Sequence, residues 1–181
     1  MNRIDIQYYK TSIGELILGS YEDKLCLLDF RYRKMRKTVD DRIKKILKAE
    51  YLERDNEILQ EVKNQLDEYL LGNRSEFDIP ILPLGSEFQN QVWKALMDIP
   101  YGKTVSYIQL SKAIKNEKAV RAVASANGAN ALALIIPCHR VIGADGKLVG
   151  YGGGLNAKKK LLILENQKSL FSEPNLFSNQ P

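Results

Sequence analysis

The sequence predicts an α+β protein. A small N-terminal α/β domain of antiparallel strands and helix precedes a mainly helical C-terminal domain with a helix-turn-helix and a cysteine-bearing loop. Apolar and polar residues alternate at 3–9, and residues 15–20 and 24–30 are also strand-like, with turn signals at 12–14 and 22–23. Helical spacing of apolar residues dominates later segments. Pro80, Pro83 and Gly85 punctuate the chain between these regions. We therefore expect one domain over 1–84 and another over 85–166.

The predicted N-terminal domain starts with an antiparallel meander of three strands. Helices are expected at Asp41–Ala49 and Asn56–Leu71, the second ending before Gly72. A short strand is expected at Phe77–Ile81. Cys26 lies among leucines in the third strand, so we expect a buried structural thiol.

Helix-capping patterns organise the second half. Ser86 can cap a helix that runs to about Met97, and Ser106 can cap another through a capping box with Gln109. Asn116 can cap a third helix, from about Glu117 to Asn127. Two short helices joined by a tight turn indicate a helix-turn-helix, although the same pattern fits an ordinary helical hairpin.

The segments around Cys138 have unusual composition. The helix before it is rich in Ala, Ser and Gly and nearly free of bulky side chains, which would let it approach another surface closely. A β-rich apolar run over 132–136 leads directly to the cysteine, and a glycine-rich loop follows at 150–154. A last helix is expected at about Asn156–Glu165. The tail over 167–181 is rich in Ser, Asn, Gln and Pro, so we expect it to be disordered.

Charge and hydropathy narrow the class of protein. The 181 residues carry a net charge of +5, a balance that weakly favours an anionic partner such as nucleic acid. No apolar run approaches the roughly 20 residues that span a bilayer, and the N-terminus lacks the apolar core of a signal peptide. We therefore expect a cytoplasmic protein without a membrane partner. The basic stretch over 31–37 could contact phosphates, but a solvated surface is the commoner outcome.

Metal-binding and disulfide residues are scarce. The chain has two cysteines, Cys26 and Cys138, and one histidine, His139. Two distant cysteines argue against a disulfide framework, and three possible ligands are too few for a structural zinc site. We expect no metal and no cofactor.

Cys138 is the candidate nucleophile because the only histidine stands beside it, and an imidazole can help to form the reactive thiolate. Adjacent residues of an extended segment point to opposite sides, so a direct Cys138–His139 pair would need a bend or a bridging water. Repeated hydrolysis through an acyl-thioester needs a base that activates water in the second step, and the sequence has no second histidine to supply it. A single displacement at an alkyl carbon needs only a thiolate, and the thioether product is inert. A structural cysteine remains the alternative.

The motifs around Cys138 give a more specific indication. The sequence resembles the O6-alkylguanine-DNA alkyltransferases, also called methylated-DNA–protein-cysteine methyltransferases. The resemblance is strongest from Phe77 to Glu165 and looser in the N-terminal part, which fits the family's small ribonuclease H-like α/β domain. It rests on Phe88-Gln89, Val92-Trp93, Ile99-Pro100-Tyr101-Gly102-Lys103-Thr104-Val105-Ser106-Tyr107, Arg121-Ala122-Val123, Ile136-Pro137-Cys138-His139-Arg140-Val141-Ile142-Gly143 and Gly150-Tyr151-Gly152-Gly153-Gly154-Leu155.

The resemblance implies a set of catalytic residues. Cys138 would accept the alkyl group. His139 would act on it through a water molecule, and Glu165 would orient His139. The hydroxyl of Tyr107 would donate to the guanine ring and improve the leaving group.

It also implies residues that bind the DNA and the damaged base. The helix-turn-helix would flip the target nucleotide out from the minor groove, where Arg121 would fill the vacated space. A helix of small residues suits that narrow groove. Asn130 would brace the turn before the active segment. Asn116 would lie near the DNA backbone, the Val141 carbonyl would read the guanine amino group, and the pocket wall would include Tyr151 and Gly152.

The implied function is direct DNA repair. A monomer would transfer the alkyl group of O6-alkylguanine, and of O4-alkylthymine, from double-stranded DNA to Cys138, once and irreversibly. One alternative is a non-catalytic module that binds alkylated bases for other repair proteins. Another is a helix-turn-helix regulator, although such proteins usually read the major groove with polar side chains.

Overall fold

A four-stranded mixed sheet forms the first part of the fold in a computed structural model, which describes residues 2–169. The strands are β1 (Asn2–Thr11), β2 (Gly14–Tyr21), β3 (Lys24–Phe30) and β4 (Ala49–Glu53), in the order β3-β2-β1-β4. The predicted meander is confirmed, since β1–β2 and β2–β3 pair antiparallel. The fourth strand was not predicted, and it pairs parallel with β1.

Two helices cover this sheet. Helix α1 (Arg36–Leu47) begins five residues before the predicted start, and its last turn is followed by Lys48 in a left-handed conformation. Helix α2 (Glu57–Leu70) agrees with the prediction. The Asn56 side chain accepts a hydrogen bond from the Leu59 backbone N–H at 3.0 Å and so caps α2. The buried face of α2 consists of Leu59, Val62, Gln65, Leu66 and Tyr69.

The strand predicted at 77–81 is wrong. Only a single bridge forms there, between Leu25 and Ile81. The Leu25 N–H donates to the Pro80 carbonyl, and the Leu25 carbonyl accepts from the Leu82 N–H, both at 2.8 Å. Prolines at 80 and 83 lack the N–H groups that a longer ladder would require.

The second part of the fold is mainly helical, as predicted. Helix α3 (Glu87–Met97) and helix α4 (Tyr107–Ala113) begin at the predicted caps, Ser86 and Ser106. Both caps form capping boxes, of which only the one at Ser106 was predicted. Helix α5 (Val120–Gly128) packs on α3 and α4. Short parallel strands β5 (Val105–Ser106) and β6 (Val141–Ile142) pair beside α4, and α6 (Gly154–Ser169) closes the described chain.

Three local predictions in this part need correction. Asn116 makes no side-chain cap, and a 3-10 turn over Glu117–Ala119 precedes α5. The run over 132–136 does not form a strand: its residues make isolated bridges, and Leu134 has a left-handed φ of 72°. Helix α6 runs to Ser169, so the predicted tail is helical over 167–169, and residues 170–181 lie outside the described part of the chain.

One buried core joins the two parts. Leu16, Leu18 and Leu28 of the sheet belong to the same apolar cluster as Val92 and Leu161 of the helical part. Within residues 2–169, no helix is both long and apolar enough to cross a membrane.

Candidate active site

A cleft of about 590 Å³ lies where the two parts meet, and Cys138 is on its wall. Helix α1 and the end of β3 form one side, and the second half of α5 forms another. The glycine-rich loop closes a third side. The lining residues that bear on the chemistry are Asp29, Arg33, Tyr107, Asn130, Cys138, Tyr151 and Gly152.

Cys138 opens a 3-10 turn that spans Cys138–Arg140. We had reasoned from an extended segment, and the structure instead has a turn at this position. Even so, no direct hydrogen bond joins Cys138 and His139. Asn130 fixes the preceding chain, because its side-chain amide donates to the Ile136 carbonyl and its Oδ1 accepts from the Leu132 N–H. The Cys138 residue is only 7% exposed. Burial raises the pKa of its thiol, an effect that a hydrogen bond with the Asn130 side chain opposes.

His139 and Glu165 form a buried pair behind Cys138. The His139 Nε2 atom lies 2.7 Å from Glu165 Oε1, and both residues are almost fully buried. Because Nε2 faces a carboxylate, we assign the proton to Nε2, which leaves a lone pair on Nδ1. The buried Nδ1 atom has no hydrogen-bond partner within the described chain. Burial lowers the pKa of His139, against the opposing influence of Glu165.

Glu165 is surrounded by hydrogen-bond donors from three further residues. Arg140 donates through Nε and Nη2, Tyr69 donates from its hydroxyl, and the Gly102 N–H reaches Oε2 at 3.1 Å. Burial by itself would raise the pKa of Glu165, but hydrogen bonds and charge from His139 and Arg140 outweigh it and lower this pKa to about 2. The carboxylate therefore stays ionised at any ordinary pH.

The predicted base-pocket residues surround the same cleft. The Tyr107 hydroxyl, at the start of α4, lies 3.4 Å from the Val149 carbonyl. Tyr151 stacks edge-on against Phe30, at 5.4 Å between ring centroids. Val141 is fully buried in β6, next to the 3-10 turn. Gly153 packs so closely that an added Cβ would lie 2.4 Å from the Phe30 ring, so only glycine fits there.

The exposed face of α5 is almost free of bulky side chains. Arg121, Ala122 and Ser125 point to solvent, whereas Val123 and Ala126 are buried. Arg121 makes no hydrogen bond or ion pair with the described residues, and Asn116 is likewise exposed beside the preceding 3-10 turn. The face thus presents one long cation on a smooth surface.

Arginines of the N-terminal part cap the carboxyl end of α5. Arg33 donates to the carbonyls of Gly128 and Asn130, and Arg42 donates to the Ala129 carbonyl at 2.7 Å. Cations are favourable at a helix C-terminus, where carbonyls lack partners. Part of the basic stretch over 31–37 is therefore buried: Arg33 and Arg36 both pair with buried Asp29. The expectation of a solvated surface holds for Lys34 and Lys37, whose side chains are exposed.

A buried lysine holds the glycine-rich loop. The Lys158 ammonium on α6 donates to the Val149 carbonyl at 2.8 Å and to the Gly150 carbonyl at 3.2 Å. Burial lowers the pKa of Lys158 to about 8, and a negative charge on Cys138 would favour its protonated form. The loop that walls the cleft is thereby tied to the same helix as Glu165.

The structure brings most of the predicted catalytic and pocket residues into one region, and it adds four that sequence reasoning missed: Tyr69, Arg140, Lys158 and Arg33. Arg140 could have been suspected from its place beside His139. The other three come from distant helices or from the N-terminal part, and no local pattern signals them. Among residues 2–169, no three metal-binding side chains cluster in a way that could hold an ion.

Comparison with known proteins identifies the family. Residues 5–83 match the model of the 6-O-methylguanine DNA methyltransferase ribonuclease-like domain, and residues 87–167 match that of its DNA binding domain. A methylated-DNA–protein-cysteine methyltransferase of Methanosarcina acetivorans is 42% identical over 157 residues, which cover 87% of this chain and 95% of the relative. This chain belongs to the methylated-DNA–protein-cysteine methyltransferase family.

Other members of this methyltransferase family support the assignment. The Mycobacterium tuberculosis relative of the same name is 52% identical over 106 residues, which cover 59% of this chain and 64% of the relative. A crystal structure of Mycobacterium tuberculosis OGT in complex with DNA aligns with a TM-score of 0.77 and 38% identity. That alignment covers 91% of this chain and 94% of the crystallised one. The predicted fold class is confirmed.

Proposed function

We propose that this protein repairs DNA by moving the alkyl group of O6-alkylguanine onto Cys138. The observation that carries the proposal is a single buried thiol on the wall of the cleft, backed by the His139–Glu165 pair. The printed names of the family's members describe methyl transfer to a protein cysteine. The proposed partner is double-stranded DNA, and the crystallised Mycobacterium tuberculosis relative is in complex with DNA.

The proposed reaction is one nucleophilic displacement. The Cys138 thiol passes its proton through a water molecule to His139 Nδ1, and Glu165 stabilises the imidazolium that results. The thiolate sulfur attacks the alkyl carbon, an S–C bond forms, and the C–O6 bond breaks. Its electron pair stays with the guanine, and Tyr107 donates a hydrogen bond to the departing ring. The same displacement would act on O4-alkylthymine.

Transfer would occur once per molecule. The thioether product is inert, because a thiolate is a poor leaving group from an alkyl carbon and water would need strong activation to displace it. His139 is the chain's only histidine, and Glu165 is held as an anion by the donors around it. We therefore propose stoichiometric repair that consumes the protein.

Access to Cys138 requires the target nucleotide to leave the base stack. The thiol is almost buried, and an atom inside a duplex cannot reach it. The smooth exposed face of α5 is compatible with the minor groove, which is only about 6 Å wide. Asn130, Val141, Tyr151 and Gly152 line or flank the space that a flipped base would enter, and Asn116 lies at the edge of that surface.

The experiment that tests this function is intact-mass analysis after incubation with duplex DNA containing O6-methylguanine. The wild-type protein should gain one methyl group, located on Cys138 by peptide mapping, with one equivalent of lesion consumed. Cys138→Ala should gain none and still bind the DNA. Cys26→Ala is the matched control: Cys26 is buried in β3, donates to the Gly19 carbonyl, and should be dispensable for transfer.

Absence of methylation in the wild-type protein would overturn the assignment and favour a module that only binds alkylated bases. Methylation of Cys138→Ala would show that another residue accepts the group.

A further inference from the structure

Tyr69 brings a hydroxyl from the N-terminal part into the His139–Glu165 pair. It lies near the end of α2 and is completely buried. Its hydroxyl is 2.5 Å from Glu165 Oε1 and 3.4 Å from His139 Nε2. The same carboxylate oxygen thus accepts from both Tyr69 and His139.

Packing alone does not require this hydroxyl. The Tyr69 ring contacts the rings of Phe77 and Tyr101, with centroids at 5.1 and 6.0 Å. A phenylalanine would preserve both contacts. Burying this hydroxyl costs free energy, and its hydrogen bond to Glu165 is the main contact that offsets the cost.

The direction of this hydrogen bond is fixed by chemistry. Burial and the negative charge of Glu165 both raise the pKa of Tyr69, so the phenol keeps its proton at every working pH. It can therefore only donate to the ionised carboxylate. Each donor that a carboxylate accepts makes it a weaker base and a weaker partner for an adjacent imidazolium.

We infer that Tyr69 is a positioning residue of the proton relay, which holds Glu165 beside His139 and limits the proton affinity of the imidazole. The inference rests on the proposed function, because the relay serves transfer to Cys138. One residue of the relay would then come from the N-terminal part of the fold. Tyr69 acts through Glu165 and does not contact the cleft's substrate side.

Other charged and titratable groups also face the pair and stay in place when Tyr69 changes. Arg140 is hydrogen-bonded to Glu165, and its guanidinium lies 5.7 Å from the centroid of the Tyr101 ring. Burial, with a smaller contribution from Glu165, raises the pKa of Tyr101 and of Tyr151, so both phenols stay neutral at working pH. The charge of Lys158 lowers the pKa of His139.

Tyr69→Phe tests the inference, and NMR titration of the ring protons of His139 is the primary measurement. His139 is the only histidine, so its signal needs no assignment among others. Removing one donor should make Glu165 more basic and raise the pKa of His139 by about 0.5 to 1 unit. The acid limb of the rate of Cys138 alkylation by free O6-benzylguanine should move to higher pH by the same amount.

Tyr101→Phe is the matched control. Its ring packs on Tyr69, but its buried hydroxyl has no hydrogen-bond partner within the described chain. This variant should leave both titrations unchanged. Thermal unfolding of each variant shows whether the fold is retained.

An unchanged or lowered His139 pKa in Tyr69→Phe, an absence of titration in both proteins, or an equal shift in Tyr101→Phe would overturn the inference. The NMR result does not depend on activity. If the wild-type protein is never alkylated but the His139 pKa rises in Tyr69→Phe, the proposed function fails and Tyr69 still tunes the pair.

Discussion

Glu165 keeps a negative charge in the interior of the molecule because its oxygens accept hydrogen bonds from Tyr69, Gly102, His139 and Arg140. A buried carboxylate is tolerable only when such donors replace water. The resemblance in sequence implied the bond to His139. It gave no sign of Tyr69, since that contact depends on how α2 packs against α6 across 96 positions of sequence.

The proposed role of Arg121 in base flipping can be tested separately from alkyl transfer to Cys138. Because Arg121 lies on the exposed face of α5 and makes no hydrogen bond or ion pair with the described residues, Arg121→Ala should leave the fold and the reaction with free O6-benzylguanine unchanged. Repair of O6-methylguanine in duplex DNA should slow by about tenfold or more, since holding a flipped base out of the stack costs a few kcal/mol. Single-turnover rates on the two substrates provide the measurement.

Lys118→Ala is the control for Arg121→Ala. It removes an exposed cation from the neighbouring 3-10 turn, so any general loss of phosphate attraction should appear there too. Equal losses on duplex and free base in Arg121→Ala would argue against a role in base flipping.

Individual elements were predictable where local patterns decided them. Strand β1 follows from alternation, and β2 and β3 follow from strand-like apolar runs between turn signals. The caps of α3 and α4 follow from the serines at 86 and 106. Strand β4 was missed because only Ala49 of its five residues is buried, which leaves no alternation to detect. The apolar run at 132–136 misled for the opposite reason: it is buried by packing without forming a ladder.

The end of α5 offers a prediction at the scale of an element. Arg42 caps the Ala129 carbonyl and lies 5.5 Å from the centroid of the Trp93 ring. Arg42→Met should lower the free energy of unfolding by about 1 to 2 kcal/mol, because a partly buried carbonyl loses its donor and the helix loses a favourable charge. Urea denaturation measures the loss.

Lys37→Met provides the comparison for Arg42→Met on the same helix. Lys37 pairs with Asp41 but is 87% exposed, and pairs of this kind contribute little. Its unfolding free energy should match that of the wild-type protein. A larger loss in Lys37→Met than in Arg42→Met would refute the capping role.

At the scale of the whole molecule, the two parts are interdependent. We propose the division at 1–84 and 85–166 as a description of sequence organisation. The apolar core, however, runs through both parts, and Asn130 and Glu165 are held by side chains of the first. The sequence gives no local signal of this sharing, because it arises only when the sheet packs on the helices.

Unfolding should therefore be a single cooperative transition. Trp93, the only tryptophan, reports the helical part through fluorescence, and far-ultraviolet circular dichroism reports the whole chain. Because both parts share one core, the two urea curves should coincide. A fluorescence midpoint clearly separated from the dichroism midpoint would show that the parts unfold independently.

The burial of Cys138 affects how long its thiol stays reactive before the protein meets alkylated DNA. Under the proposed single transfer, a molecule must not be spent on the wrong partner, and cellular peroxides and electrophiles consume exposed thiolates. A thiol that is 7% exposed, with its pKa raised, offers them little to attack. We therefore expect active protein to be lost mainly through reaction with alkylated DNA, and only slowly through oxidation of the Cys138 thiol over time.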